Sequence, residues 1–186
     1  MAKRYEQMLA LIDEIKPRSI IEVGVHRGMR ANQLCTQATK YNDVTYTGFD
    51  VFDMMDAEFQ EAALNGKGMP SQAVAANRLN RIDRLSYSFV VGDTRDTLHD
   101  KPRYADFAFI DGDHRVDAIR GDYDALKDCR IVVFDDYYVG DNKPDLSLYG
   151  ANAVVDALPP DLVEILPVGD GCKHGGYSHL AVVRLP

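Results

Sequence analysis

Cysteine, basic charge and long apolar runs are all scarce in this chain of 186 residues. Its three cysteines lie far apart and form no C-x-x-C pair, which excludes a disulfide framework and a zinc ribbon. The chain has 21 lysines and arginines against 29 aspartates and glutamates, a formal charge of −8, so nucleic acid and anionic membranes are not expected partners. No run of about 18 apolar residues occurs, and none opens the chain. These absences predict a reduced, cytoplasmic protein.

Helical and strand-like segments alternate along the chain. Helical spacing of apolar residues is found over Tyr5–Ile15, about Arg30–Tyr41 and Val116–Leu126. Short, β-branched or aromatic runs predict strands at Ser19–Val23, Thr45–Phe49, Tyr87–Val91, Phe107–Ile110 and Ile131–Phe134, with a later pair at Leu162–Val168 and His179–Leu185. This order predicts one domain over residues 1–186, a Rossmann-like, doubly wound α/β sheet, mostly parallel and seven-stranded, with a C-terminal antiparallel hairpin.

Carboxylates follow most of the predicted strands. In an open α/β sheet, ligands bind in the crevice at the carboxyl ends of the strands. The residues expected there are Gly24, Asp50, Asp93, Asp111 with Asp113, and Asp135 with Asp136. Carboxylates crowded together repel one another and destabilise the fold unless a cation or ligand hydroxyls bind them. This pattern therefore predicts a binding site.

The turn after the first strand, residues 22–28, reads EVGVHRG. A dinucleotide fingerprint needs G-x-G-x-x-G, and His26 stands where its middle glycine would be, which weakens a nicotinamide interpretation. Gly24 and Gly28 would still let a ligand approach the backbone. The alternative is that they serve only the turn from strand to helix. Asp50 would accept hydrogen bonds from two ribose hydroxyls, with capping of the next helix as the alternative role.

Two later segments are more specific: DGDH at residues 111–114 and DDY at residues 135–137. Together with the glycine turn they resemble the class I methyltransferases that depend on S-adenosylmethionine (SAM). Within that superfamily the chain is most similar to macrocin-type sugar O-methyltransferases and cephalosporin-hydroxylase-like proteins. The resemblance covers residues 20–138 by motif and extends to residue 185 through the terminal hairpin. It implies transfer of a methyl group from SAM to a hydroxyl of a small molecule.

The resemblance also assigns roles to individual residues. It implies that SAM is bound by Glu22, Gly24, Gly28, Asp50, Asp93, Thr94 and Asp111. In this assignment Asp93 or Thr94 would contact the adenine ring. Capping of a short helical segment at about residues 95–98 is the alternative role of Asp93.

A divalent cation, Mg²⁺, is implied in the same way, held by Asp111, Asp135 and Asp136. Such a hard cation takes a few carboxylates, leaves positions for substrate oxygens and lowers the pKa of a bound hydroxyl. Helix capping is the alternative role of the acidic pair. The expected catalytic residues are His114 and Asp111: His114 would accept the substrate proton, or would orient a carboxylate while Asp111 acts as the base.

The acceptor is expected to carry hydroxyl groups, as sugars, catechols and other vicinal diols do. Side chains that would line its pocket, or simply pack or lie in solvated loops, are Met54, Met55, Tyr137, Tyr138, His174 and His179. A small phosphorylated acceptor would be met by Arg27, Arg30 and Lys143. Only one helix precedes the first strand, so a lid would come from residues 53–84 and 137–150 or from a second subunit of a homo-oligomer, unless a large acceptor docks on an open face.

Two rival functions remain open at this point. The first is a nicotinamide-dependent oxidoreductase, which the missing middle glycine of the turn disfavours. The second is a SAM-binding module without catalytic activity.

Overall fold

A computed structural model describes residues 3–54, 69–140, 150–172 and 175–184. The helices are α1 Arg4–Ile15, α2 Met29–Ala38, α3 Gln72–Leu79, α4 Thr94–Thr97, α5 Val116–Leu126 and α6 Ala151–Val155. The strands are β1 Ser19–Val23, β2 Val44–Asp50, β3 Leu85–Val91, β4 Phe107–Ile110, β5 Ile131–Val139, β6 Val163–Ile165, β7 Asp170–Gly171 and β8 Tyr177–Arg184. Short 3₁₀ turns cover Phe52–Met54 and Pro160–Leu162. Within these ranges no helix has the length and apolar character that a membrane span requires.

One sheet contains all of these strands, with seven in the order β3-β2-β1-β4-β5-β8-β6. Strands β1 to β5 are mutually parallel, and β8 runs antiparallel between β5 and β6. The predicted doubly wound, mostly parallel sheet with a C-terminal antiparallel pair is therefore confirmed. The two-residue β7 adds an eighth strand beside β8, too short for periodicity to reveal. Strand order reverses where β1 lies between β2 and β4, which opens a ligand crevice at their carboxyl ends.

Apolar layers cover both faces of the sheet. Along β4, Phe107 and Phe109 face one layer, and Ala108 and Ile110 face the other. Helices α1, α2 and α3 supply the first layer, and α5 and α6 supply the second. Burial on both faces explains why the run reads as continuously apolar instead of alternating. Burial of each fully enclosed phenylalanine stabilises the fold by about 1.5–3 kcal/mol.

Helix α1 confirms the predicted opening amphipathic helix. Its buried face includes Met8, Leu11 and Ile12, and it ends at Ile15, followed by Lys16 with a left-handed φ of 52°. The side chain of Gln7 exchanges hydrogen bonds with the backbone of Val168, of 2.8 and 2.9 Å. These contacts tie the N-terminal end of α1 to the segment before β7. As a result, the first residues of α1 lie at the carboxyl edge of the sheet.

Strand β5 is longer than the sequence predicted. The prediction ended it at Phe134, but pairing with β8 resumes after a register shift and continues from Tyr137 to Val139. A β-bulge of this kind bends the strand and changes the direction of its side chains. The acidic pair lies within this bulge, not after the strand, and Asp136 has a φ of 55°. The terminal antiparallel pair is also shifted, to Val163–Ile165 and Tyr177–Arg184.

Candidate active site

A cavity of about 380 Å³ lies at the carboxyl ends of β1, β2 and β4. Its lining includes the following predicted site residues: Gly24, Asp50, Asp93, Thr94, Asp111 and His114. Residues that the sequence did not single out also line it, notably Tyr5 from α1 and Met29 from α2. The fold therefore gathers residues from distant parts of the chain at the predicted edge of the sheet.

The glycine turn brings the ends of β1 and β4 into close contact. Gly24 has a φ of 88°, and a Cβ there would lie 2.0 Å from the carbonyl oxygen of Asp111. His26 is also left-handed, with a φ of 54°, so it adopts the conformation for which a glycine is usually required. Gly28 packs against Ala75 of α3 at the start of α2. Gly28 is thus a packing residue beside the cavity and does not line it.

Asp50 ends β2 with both carboxylate oxygens oriented by the backbone. The N–H of His26 donates to Oδ2 at 2.6 Å, and the N–H of Phe52 donates to Oδ1 at 2.6 Å. Burial raises the pKa of Asp50, and the backbone donors oppose that rise. The alternative capping role is thus realised at the Phe52–Met54 turn. A carboxylate has about four acceptor positions, so Asp50 can also accept from a ligand hydroxyl in the cavity that it lines.

Glu22 lies in the sheet beneath the cavity and does not line it. Its side chain is fully buried, and Tyr46 donates a hydrogen bond of 2.5 Å to Oε2. Its Oε1 has no hydrogen-bond partner in the part of the chain that the structure describes. Burial raises the pKa of Glu22 to about 8.

Asp93 caps α4 and lines the cavity as well. Its Oδ1 accepts from the backbone N–H of Arg95 at 2.9 Å, and the Arg95 guanidinium pairs with Oδ2 at 2.5 Å. This side chain of Arg95 lowers the pKa of Asp93. The capping alternative is therefore present, and it leaves Thr94 beside Asp93 on the cavity wall.

The bulge in β5 gives the two acidic residues different neighbours. Asp111, His114 and Asp136 each offer one ligand atom, and these atoms lie within 4.8 Å of one another. His114 Nδ1 is 3.8 Å from Asp136 Oδ2. Asp135 is not part of that group: it pairs with Arg4, whose Nε lies 3.1 Å from its Oδ1, and it accepts a hydrogen bond from the Tyr5 hydroxyl.

Arg4 and Tyr5 are functional-site residues that the sequence analysis missed. Tyr5 reaches the cavity, and the Arg30 guanidinium stacks on its ring, with Cζ 3.4 Å from the ring centroid. Burial, followed by the charge of Asp135, raises the pKa of the Tyr5 hydroxyl, so it stays protonated as a donor. No motif marks these residues, because their partners are about 130 positions away in the chain.

The side chains proposed for the acceptor pocket do not line this cavity where the structure describes them. Tyr137 donates to Asp156 at 2.7 Å, Tyr138 is buried, and His179 Nδ1 lies 2.7 Å from the carbonyl of Leu166. Met54 is exposed to solvent. For these residues the alternative of packing or solvation is the observed one. Met55, Lys143 and His174 lie outside the described residues, as do residues 55–68 and 141–149 of the expected lid.

Comparison with known proteins bears on the identity of this site. Residues 21–137 match a family model described as a methyltransferase domain. No curated protein sequence matches the chain significantly. Among solved structures, the O-methyltransferase TomG from Streptomyces achromogenes has a TM-score of 0.61 at 18% identity, and the match covers 97% of this chain and 79% of TomG. TomG is involved in tomaymycin synthesis and was crystallised with SAM.

Two further structures share the fold. CalS11, a TDP-rhamnose 3'-O-methyltransferase of calicheamicin biosynthesis, has a TM-score of 0.56 at 18% identity and covers 98% of this chain and 80% of its own. A proposed rRNA methylase from Clostridium thermocellum has a TM-score of 0.58 at 14% identity, and the match covers 99% of this chain and 98% of the methylase. The family match includes the glycine turn, Asp50 and the DGDH and DDY segments. The chain therefore belongs to the methyltransferase-domain family.

Proposed function

We propose that this protein transfers a methyl group from SAM to a hydroxyl of a small molecule. The observation that carries the proposal is the cavity at the strand-order reversal, where the glycine turn, Asp50 and the DGDH segment meet. The family match favours methyl transfer over a nicotinamide-dependent reaction. The presence of SAM in the TomG structure supports SAM as the methyl donor. All described strands lie in one sheet, which supports a single methyltransferase domain.

The cavity offers complementary groups for each part of SAM. The turn at Gly24 exposes backbone to the amino-acid end of the cofactor, because no Cβ stands there. Asp50 would accept hydrogen bonds from the ribose hydroxyls. Asp93 and Thr94, which also line the cavity, would contact the adenine ring. The remaining wall, at Asp111 and His114, is left for the acceptor.

The reaction is a displacement in which the methyl carbon leaves the sulfonium and bonds to the acceptor oxygen. The sulfonium becomes a neutral thioether, and the acceptor hydroxyl loses a proton. We assign His114 as the proton acceptor, because histidine is the side chain that most often serves as a general base. Asp136, 3.8 Å from His114 Nδ1, would stabilise the imidazolium that forms. The main contribution of the protein is to hold the oxygen near the methyl carbon.

The proposed acceptor is a sugar or another vicinal diol. Carboxylates at the acceptor wall accept hydrogen bonds from hydroxyls, and CalS11 is an example of a sugar O-methyltransferase with this fold. The fold itself does not choose the acceptor, since a proposed rRNA methylase shares it. The formal charge of −8 disfavours RNA and anionic membranes as partners. A second copy of the chain stays one proposed source of a lid, beside residues 53–84 and 137–150 of the chain itself, unless a large acceptor docks on an open face.

The magnesium site that the resemblance implies does not fit the placement of its three carboxylates. Asp135 is only 5% exposed, and its carboxylate contacts Arg4 and Tyr5. It is not grouped with Asp111. A divalent cation would be left with Asp111, His114 and Asp136, and Asp136 is itself 3.1 Å from Arg4. A cation bound by that reduced set would polarise an acceptor hydroxyl. The proton transfer to His114 described above does not require it.

The cofactor proposal is tested by calorimetry with S-adenosylhomocysteine, the product of the reaction. Wild-type protein should bind it with micromolar affinity, and Asp50→Ala should bind it about 10- to 100-fold more weakly, because hydrogen bonds to a charged group are lost. Asp43→Ala is the matched control, since Asp43 precedes the same strand at its other end and pairs with Arg84 on the surface. Wild-type protein that binds no S-adenosylhomocysteine would refute the proposed function.

A further inference from the structure

The Arg4 guanidinium occupies a position among acidic groups that a metal ion would be expected to fill. Its Nε lies 3.1 Å from Asp135 Oδ1, and its Nη2 lies 3.2 Å from Asp135 Oδ2 and 3.1 Å from Asp136 Oδ1. Its Nη1 donates to Ser178 Oγ at 2.5 Å, and its Nε lies 3.7 Å from Asp170 Oδ2. Both carboxylates of the DDY segment are therefore bound to a cation that belongs to the chain itself.

This placement is built into the fold by several independent contacts. The backbone N–H of Lys3 donates to Asp170 Oδ1 at 3.0 Å, next to the Gln7 and Val168 pairing described above. Tyr5 donates to the same Asp135 carboxylate, and Arg4 Nη2 donates to the Tyr5 hydroxyl at 2.9 Å. The side chain of Arg4 is 13% exposed, so it is held by its partners and does not extend into solvent.

The positive charge of Arg4 compensates the negative charge of the buried Asp135 carboxylate. Asp135 is buried, and burial together with Asp136 raises its pKa, whereas Arg4 and Tyr5 lower it. Burial alone would lower the pKa of Arg4, but Asp135, Tyr5 and Asp136 together outweigh that effect and raise the pKa, so Arg4 stays protonated. A buried carboxylate pair needs such a partner, and a planar guanidinium can contact two carboxylates at once.

We infer that Arg4 replaces the divalent cation that the resemblance implies, so that this methyltransferase works without a metal at its acidic pair. The inference rests on the proposed function. Arg4 neutralises the acidic pair and fixes Asp136, and Asp136 in turn faces His114 at the acceptor wall. Arg4 is thus a positioning residue: it acts through Asp136 and does not line the cavity, whereas its neighbour Tyr5 does.

The test is a Mn²⁺ titration followed by calorimetry and electron paramagnetic resonance, with Mn²⁺ as the probe for a hard divalent site. Wild-type protein should show no binding tighter than millimolar. Arg4→Ala should bind one Mn²⁺ at least tenfold more tightly than wild type, because three carboxylates then lack a cation. The double variant with Asp135→Asn should lose that gain, and Arg4→Lys should bind as weakly as wild type because the charge remains. Arg184→Ala is the control, since Arg184 pairs with Glu14 and Glu164 on the surface.

Two results would overturn the inference. One is wild-type protein that binds a single Mn²⁺ with micromolar affinity that Asp136→Asn abolishes; the other is folded Arg4→Ala that binds Mn²⁺ no more tightly than wild type. If Arg4→Ala does not fold, the wild-type and Arg4→Lys titrations still decide the question. Binding of S-adenosylhomocysteine is measured in the same samples. Wild-type protein that does not bind it would refute the proposed function, whereas the Mn²⁺ titration tests the role of Arg4 separately.

Discussion

Gly24 packs directly on the backbone of Asp111, so closely that a Cβ at Gly24 would lie 2.0 Å from the Asp111 carbonyl oxygen. The contact joins the end of β1 to the end of β4, and the N–H of Asp111 donates to the carbonyl of Val23 at 2.8 Å beside it. The proposed cofactor side and the proposed acceptor side of the cavity are therefore joined through these two backbone contacts.

Substitution of Gly24 by alanine should damage both sides of the cavity. The left-handed φ of 88° disfavours any side chain, and the clash is with backbone, which cannot rotate away. We expect a loss of stability of roughly 2 kcal/mol or more and at least tenfold weaker binding of S-adenosylhomocysteine. Urea unfolding and calorimetry measure the two effects.

The control for this substitution is Gly171→Ala, because a Cβ at Gly171 would meet nothing within 4 Å. It should leave both stability and binding close to wild type. If Gly24→Ala also binds S-adenosylhomocysteine normally, the glycine turn does not shape the cofactor site.

Glu22 should make stability depend on pH in a way that reflects its burial. Its pKa is raised to about 8 in the folded protein, well above that of an exposed glutamate. Its neutral form is favoured by folding, so its contribution is fully present below the unfolded pKa and is lost as the pH rises through about 8. Glu22→Gln cannot ionise, so its stability relative to wild type should rise with pH, by roughly 1–4 kcal/mol between about pH 5 and pH 9.

Urea unfolding of both proteins across this pH range measures the difference. Glu14→Gln is the matched control, because Glu14 is exposed and pairs with Arg184 on the surface. A difference between Glu22→Gln and wild type that stays constant with pH would mean that Glu22 does not titrate in this range.

The part of the site that the sequence predicted depends on short-range patterns. Parallel strands end at one edge of a sheet, so a turn residue after each apolar run already places Gly24, Asp50 and Asp111 near one another. The capping role of Asp93 follows from the same kind of local signal, a carboxylate directly before a helical turn. Local patterns also predicted the alternation of strands and helices, because β-branched runs alternate with helical ones.

The acidic pair shows where such patterns fail. Whether Asp135 joins Asp111 depends on the register shift between β5 and β8, which pairs residues about 40 positions apart. The partner that removes Asp135 from the group is Arg4, at the opposite end of the sequence. A motif match assigns the same role to both carboxylates, whereas the bulge and helix α1 separate them. A metal set inferred from motif spacing alone therefore needs the tertiary structure to test it.

The role of His114 as proton acceptor can be tested by substitution. His114→Gln removes the proton acceptor but keeps a polar side chain of similar size, so methyl transfer should fall by about 10²- to 10⁴-fold. Binding of S-adenosylhomocysteine should stay within about threefold of wild type, because His114 lies on the proposed acceptor wall; that change corresponds to less than about 1 kcal/mol.

His179→Gln is the control, since His179 contacts the carbonyl of Leu166 away from the cavity. Transfer of radiolabelled methyl from SAM to a panel of nucleotide-linked sugars, glycosides and catechols measures the rate. A His114→Gln protein with wild-type rates would assign the proton to Asp111 instead, because Asp111 is the other cavity residue in the acidic and histidine group.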